Sequence, residues 1–235
     1  MLARTGQYRV KLADPVAIAV AIIAEFSEMP SFTKLDAAAE NLRCAARLYF
    51  EGEHLIPVLT LANAAREIVA TLGEKLAKTT MHQELAKKHG VTVEKLVAPQ
   101  VRAANFAKHA DRDPQAVLPL DDEDVLTLIY LTCIDFQQIA NGLPVEAQVF
   151  QAWAMAIAFD KISEAPLRSQ PLLRKLAAKF AGVRTAQRPQ QKEIGLRAMR
   201  EAVADPSLKM NFRREVVIPP KGRTGPVSQM KTPRR

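Results

Sequence analysis

The sequence predicts an all-α protein, an antiparallel helical bundle with a basic, partly disordered C-terminal extension. Alanine occurs 37 times in 235 residues, aromatic residues make up only 6%, and runs of alternating β-branched residues are almost absent. Apolar residues instead recur three and four apart in segments bounded by capping and helix-breaking residues. At 48% hydrophobic residues the chain carries enough apolar surface for a substantial core.

Asp14-Pro15 has the cap-then-proline form of a helix start. The apolar stretch to Phe26 then reads as a short helix, hydrophobic nearly all round, that is buried or exchanged with a partner copy. Met29-Pro30 ends it. Thr33 caps the next helix with Asp36 three residues on, and Leu35, Ala39, Leu42, Ala46 and Tyr49 recur at helical spacing until it ends near Phe50. After the tight connection Glu51-Gly52-Glu53-His54, Pro57 opens a helix with Val58, Leu61, Ala65, Ile68 and Leu72 on one face, and Gly73 stops it. Such short connections make an antiparallel hairpin the natural packing. Between Glu74 and Gly90 the expected core contacts are Leu76, Met81 and Leu85, whereas His82 and His89 are expected at the surface.

Thr92 caps a further helix that Pro99 is expected to interrupt, leaving 101–106 as its second half. The polar stretch Lys108 to Pro114 reads as a loop. Asp121 to Asp124 then put acidic residues at the start of a helix running through Val125, Leu128, Ile129, Cys133 and Phe136 to Asn141-Gly142. Pro144 starts another that carries Val149, Phe150, Trp153, Ala156, Ile157 and Phe159. These two, with the helices from Lys34 and Pro57, are the expected centre of the core. Basic helical pieces follow at Pro171 to Ala181 and about Pro189 to Ala204, and the Pro- and Gly-bearing remainder reads as a solvated tail. The expected division is an N-terminal segment 1–32, a bundle 33–162, a basic extension 163–205 and a disordered basic tail 206–235.

The formal charge of +8 is unevenly spread. Residues 1–162 hold 16 Lys+Arg against 20 Asp+Glu, net −4, and residues 163–235 hold 17 against 5, net +12. The basic end is suited to phosphates, with Arg213, Arg214, Lys221, Arg223, Lys231, Arg234 and Arg235 as the candidate contacts to nucleic acid. An acidic partner protein, or the acidic part of its own chain, would suit the same charges. The longest uncharged apolar run, Pro15 to Ala24, is half the roughly 20 residues a membrane span requires. With no signal-peptide pattern, a cytoplasmic protein without a membrane partner is expected. Cys44 and Cys133 fall within helical patterns and read as reduced thiols. No phosphate loop, dinucleotide fingerprint or nucleophile elbow calls for a cofactor.

The most distinctive segment is Asn105-Phe106-Ala107-Lys108-His109-Ala110-Asp111-Arg112-Asp113-Pro114. It resembles an Asn-Phe-Phe-Lys-His-Ala-Asp-Arg-Asp-Pro segment of a group of uncharacterised bacterial helical proteins, departing from it at Ala107, and the similarity extends over about Lys34 to Asp160. More broadly, Arg102 and His109, six residues apart, resemble the Arg-x4-6-His motif of the HEPN superfamily of helical bundles, several of which are metal-independent ribonucleases. Ala103 stands where that superfamily usually has a polar residue, and Arg47 with His54 fits the same spacing. The resemblance implies a histidine that moves the proton of a ribose 2′-OH and an arginine that steadies phosphate charge, in a cleft shared across a homodimer.

The same loop also reads as an ordinary turn: Asp111 and Asp113 cap and turn the chain, Arg112 pairs with either, and His109 bonds a helix end. A third reading is ionic. An up-down hairpin brings Glu51, Glu53 and His54 to the same end as His109, Asp111 and Asp113, where carboxylates and imidazoles could hold a divalent metal. The strongest overall reading is an interaction module that binds nucleic acid or an acidic partner through its basic C-terminal third. A ribonuclease using Arg102 and His109 is the alternative.

Overall fold

The computed structural model describes residues 31–108, 114–158 and 178–208. The chain divides into units of residues 1–32 and 33–235, and all but the first two described residues belong to the second. The expected helix at Pro15 to Phe26, the expected helix at Pro171 to Ala181 except its last residues, and nearly all of the tail lie outside the described residues. The fold is all-α: seven helices and no strand are found among the described residues.

Helix α1, Lys34–Glu51, begins in a capping box. The Thr33 hydroxyl accepts from the Asp36 amide, and the Asp36 carboxylate accepts from the Thr33 amide, both at 3.0 Å. It ends at Gly52, whose φ of 76° lies in the left-handed region that favours glycine. Helix α2, Leu55–Lys75, starts before Pro57, with His54 Nδ1 accepting from the Ile56 amide at 3.3 Å. It also runs through Gly73 rather than stopping there. Gly73 is buried, and a Cβ on it would stand 3.1 Å from Thr80 Cγ2 and 3.4 Å from Ile139 Cδ1. The glycine therefore serves close packing against Thr80 and Ile139, not termination.

Helix α3, Met81–Lys88, is capped by Thr80 and Gln83 and buries His82 and Ala86. Of the expected core contacts Leu76 packs against the core, whereas Met81 and Leu85 are half-buried and outside it. Helix α4, Val93–Phe106, is capped by Thr92 as expected, and it passes unbroken through Pro99. Pro99 and Lys95, four residues earlier, are both exposed, so the carbonyl that proline leaves without an amide is open to water. Helix α5, Asp122–Ala140, is capped by the Asp121 carboxylate accepting from the Asp124 amide at 2.8 Å. It closes on Asn141 in the left-handed region. Helix α6 spans Val145–Ala158 and α7 spans Arg188–Ala204.

Helix α1 packs along α2, and α2 lies against α4 and α5. Helix α2 is long and apolar enough to cross a membrane, with a mean hydropathy of 1.4 in its most apolar window. Here it supplies core residues Val58, Leu59, Ala62, Ala65 and Val69. The expected centre, α1, α2, α5 and α6, is present, and the core runs past residue 162. Phe180, Val183, Ala198 and Met199 belong to it, and α7 packs on α6 and α1. The fully buried Trp153 donates from Nε1 to the Gln191 carbonyl at 2.8 Å and meets Phe50 edge-on at 4.9 Å between ring centres.

Candidate functional site

Three places collect the polar chemistry of the fold, and the first lies beside α4. Arg102 is exposed, Asn105 follows one turn later on the same side, and both line a cleft of about 660 Å³ between α4 and residues 116–119. Neither side chain has a hydrogen-bond or ion-pair partner among the described residues. Lys108 is exposed. His109, Asp111, Arg112 and Asp113 lie outside the described residues.

The second place is the α1–α2 turn. Glu51, Glu53 and His54 are all exposed there. Among the described residues no group of three or more His, Cys, Asp or Glu side chains could hold a metal ion. His54 Nδ1 accepts from the Ile56 amide and caps its own helix. The other expected ligands, His109, Asp111 and Asp113, lie outside the described residues. Arg47, the arginine of the alternative motif pairing with His54, is exposed on α1.

Beside that turn is a recess of about 470 Å³ whose walls include His54, Leu120, Asp122 and Lys192. Asp122 does more than oppose a helix dipole. It accepts from the Tyr49 hydroxyl at 2.5 Å, lies 2.5 Å from Lys192 Nζ and 3.0 Å from Arg188 Nε, while Arg188 also pairs with Glu123. Lys192 Nζ stands 4.1 Å from the centre of the Tyr49 ring. Burial, reinforced by the hydrogen bond to Asp122, pushes the Tyr49 hydroxyl well above the ordinary tyrosine range. The arrangement fastens the acidic start of α5 to the basic start of α7. Only the uneven charge hinted at it in the sequence, because the partners are more than sixty residues apart.

The third place is buried. His82, expected at the surface, is 4% exposed, and its Nδ1 lies 2.6 Å from Asp135 Oδ2. The other Asp135 oxygen accepts from the Met81 amide. The desolvated Arg66 guanidinium is pushed below its ordinary range, an effect that Glu67 and Asp135 oppose. His82 Nε2 is buried without a hydrogen-bond partner among the described residues. His89, by contrast, is an exposed C-cap, as expected. Cys133 is buried and free, and burial pushes its thiol well above the ordinary range, which makes it inert; Cys44 is free and half-buried.

Of the basic C-terminal third, Arg188 and Lys192 are engaged by Asp122 and Glu123, whereas Lys179, Arg197 and Arg200 are exposed. Arg213, Arg214, Lys221, Arg223, Lys231, Arg234 and Arg235 lie outside the described residues. No protein-family model, curated protein or solved structure matches the chain.

Proposed function

We propose that the protein is a helical binding module that engages single-stranded nucleic acid through its basic C-terminal third. The observation that carries this reading is the charge division, net −4 over residues 1–162 and net +12 over 163–235. Internal pairing on Asp122 and Glu123 accounts for only Arg188 and Lys192 among the described basic side chains of that third that are named above. Cations in such excess neutralise phosphates and release counterions, which gives binding that tolerates sequence and weakens with salt. Residues 1–162, mildly acidic overall, add no attraction for a polyanion.

The test is fluorescence anisotropy of a labelled 20-nucleotide RNA with the full chain and with the fourfold variant Arg213→Gln, Arg214→Gln, Lys221→Gln, Arg223→Gln. At low salt the variant is expected to bind at least about tenfold more weakly, given the steep dependence of affinity on phosphate contacts. Equal affinity of the two proteins would remove the reading.

A second reading, a metal-independent ribonuclease using Arg102 and His109, is supported by the exposed Arg102 at the cleft, which has no partner among the described residues. The same RNA, recovered in the presence of EDTA and run on a denaturing gel, tests it. Cleavage that disappears in His109→Ala supports this reading, and intact RNA opposes it.

A further inference from the structure

The cleft beside α4 has a chemistry of its own, apart from any polyanion. Its lining residues on α4 form one stripe, at positions 94, 97, 98, 101, 102, 105 and 106, so a single helix face builds one wall. The middle of the stripe is apolar. Val101 and Phe106 face Val117 and Leu118 across the cleft, and Val117 is 89% exposed, an apolar side chain left almost wholly in water. The polar groups sit at the ends: Glu94 at one, Arg102 with Asn105 at the other. Eight residues of helix put Glu94 and Arg102 about 12 Å apart along the axis. The volume of about 660 Å³ falls within the range typical of small-molecule sites.

We infer that this cleft binds a small organic acid with an apolar body, its carboxylate on Arg102 and Asn105 and its hydrocarbon against Val101, Phe106, Val117 and Leu118. A guanidinium with no partner among the described residues presents a planar donor fork that suits a carboxylate, and the neighbouring amide adds a further donor. The charge at that end fixes the direction of the ligand, because its acid group is drawn to Arg102 and kept from Glu94. The apolar walls disfavour a hydrated phosphate chain and reward a hydrocarbon, and a single cation among the described lining residues matches one carboxylate rather than a polyanion. The site is independent of nucleic-acid binding by the C-terminal third.

Octanoate is the probe, with octanol and acetate as its two halves. Amide shifts are followed by NMR on the full-length protein, and affinities by isothermal titration calorimetry. Octanoate is expected to shift amides of α4 and of residues 116–119, octanol to shift the same amides with lower affinity, and acetate to shift none. Arg102→Gln should weaken octanoate about tenfold and leave octanol unchanged, as removal of one charge-assisted contact requires. Val117→Asp should weaken both. Arg102 and Val117 are exposed, so both variants keep the fold, which their melting temperatures check. Octanoate affinity unchanged in Arg102→Gln, shifts mapping away from α4, or no saturable binding up to about 10 mM, where affinity is worth under roughly 3 kcal/mol, each overturns the inference.

Discussion

Asp135 sits 2% exposed on α5 and accepts both from the Met81 amide, at the start of α3, and from His82. Replacing it with alanine strands both donors in a buried site and removes one of the two negative charges, Glu67 and Asp135, that oppose the desolvation of Arg66. Asp135→Ala is expected to destabilise the protein by about 2–4 kcal/mol, and Asp135→Asn, which keeps one acceptor, by less. Urea unfolding of the two variants checks the order. This pair was not legible in the sequence, since histidine counts as polar in a periodicity reading and its partner lies 53 positions away. Cys133 behaves differently. Its thiol is held protonated by burial, so from about pH 8.5, where an unfolded cysteine ionises, the stability it contributes is lost as pH rises. Melting followed from pH 7 to pH 9.5 should therefore fall more steeply for the native chain than for Cys133→Ala, by up to about 1.4 kcal/mol per pH unit.

Helix α7 shows how an element can be present in the sequence pattern while its place in the fold is hidden. Its buried residues are Gln191, Gly195, Ala198, Met199 and Ala202, a stripe of mostly small or polar side chains that carries little hydrophobic signature. Its charged residues suggest an appendage instead. Small residues there let the helix approach the aromatic cluster: a Cβ on Gly195 would stand 2.6 Å from Phe50 Cζ and 2.7 Å from Phe50 Cδ1. Phe50 has nowhere to move, because Trp153 and Phe150 hold its ring at 4.9 and 5.4 Å between centres. Gly195→Ala is expected to cost about 1–3 kcal/mol by overpacking, read as a lower denaturant midpoint with an unchanged slope. Elements with strong local signals were legible: the capping pair Thr33 and Asp36, the Thr92 cap and the acidic start at Asp121 all stand where the sequence places them. Gly73 and Pro99 misled because tertiary packing and solvent access overrode their local preferences.

At the scale of the whole molecule, charge joins elements far apart in the sequence. Asp122 and Glu123 draw in Arg188 and Lys192, joining the ends of α5 and α7. The candidate site was only partly legible. Arg102 could be singled out by its spacing from His109 and Asn105 by the segment it opens, but the apolar wall opposite them, Val117 and Leu118, comes from a connection with no periodic pattern. The central claim is that the C-terminal cations, rather than the helical core, bind nucleic acid. The most direct measurement is the salt dependence of binding to a single-stranded 20-nucleotide RNA by the native chain and by the fourfold Gln variant at 213, 214, 221 and 223. With about 0.7 counterions released per neutralised phosphate of a single strand, the slope of log affinity against log salt should become shallower by about 3 in the variant. A slope that is near zero in the native chain, or the same in both proteins, contradicts the claim.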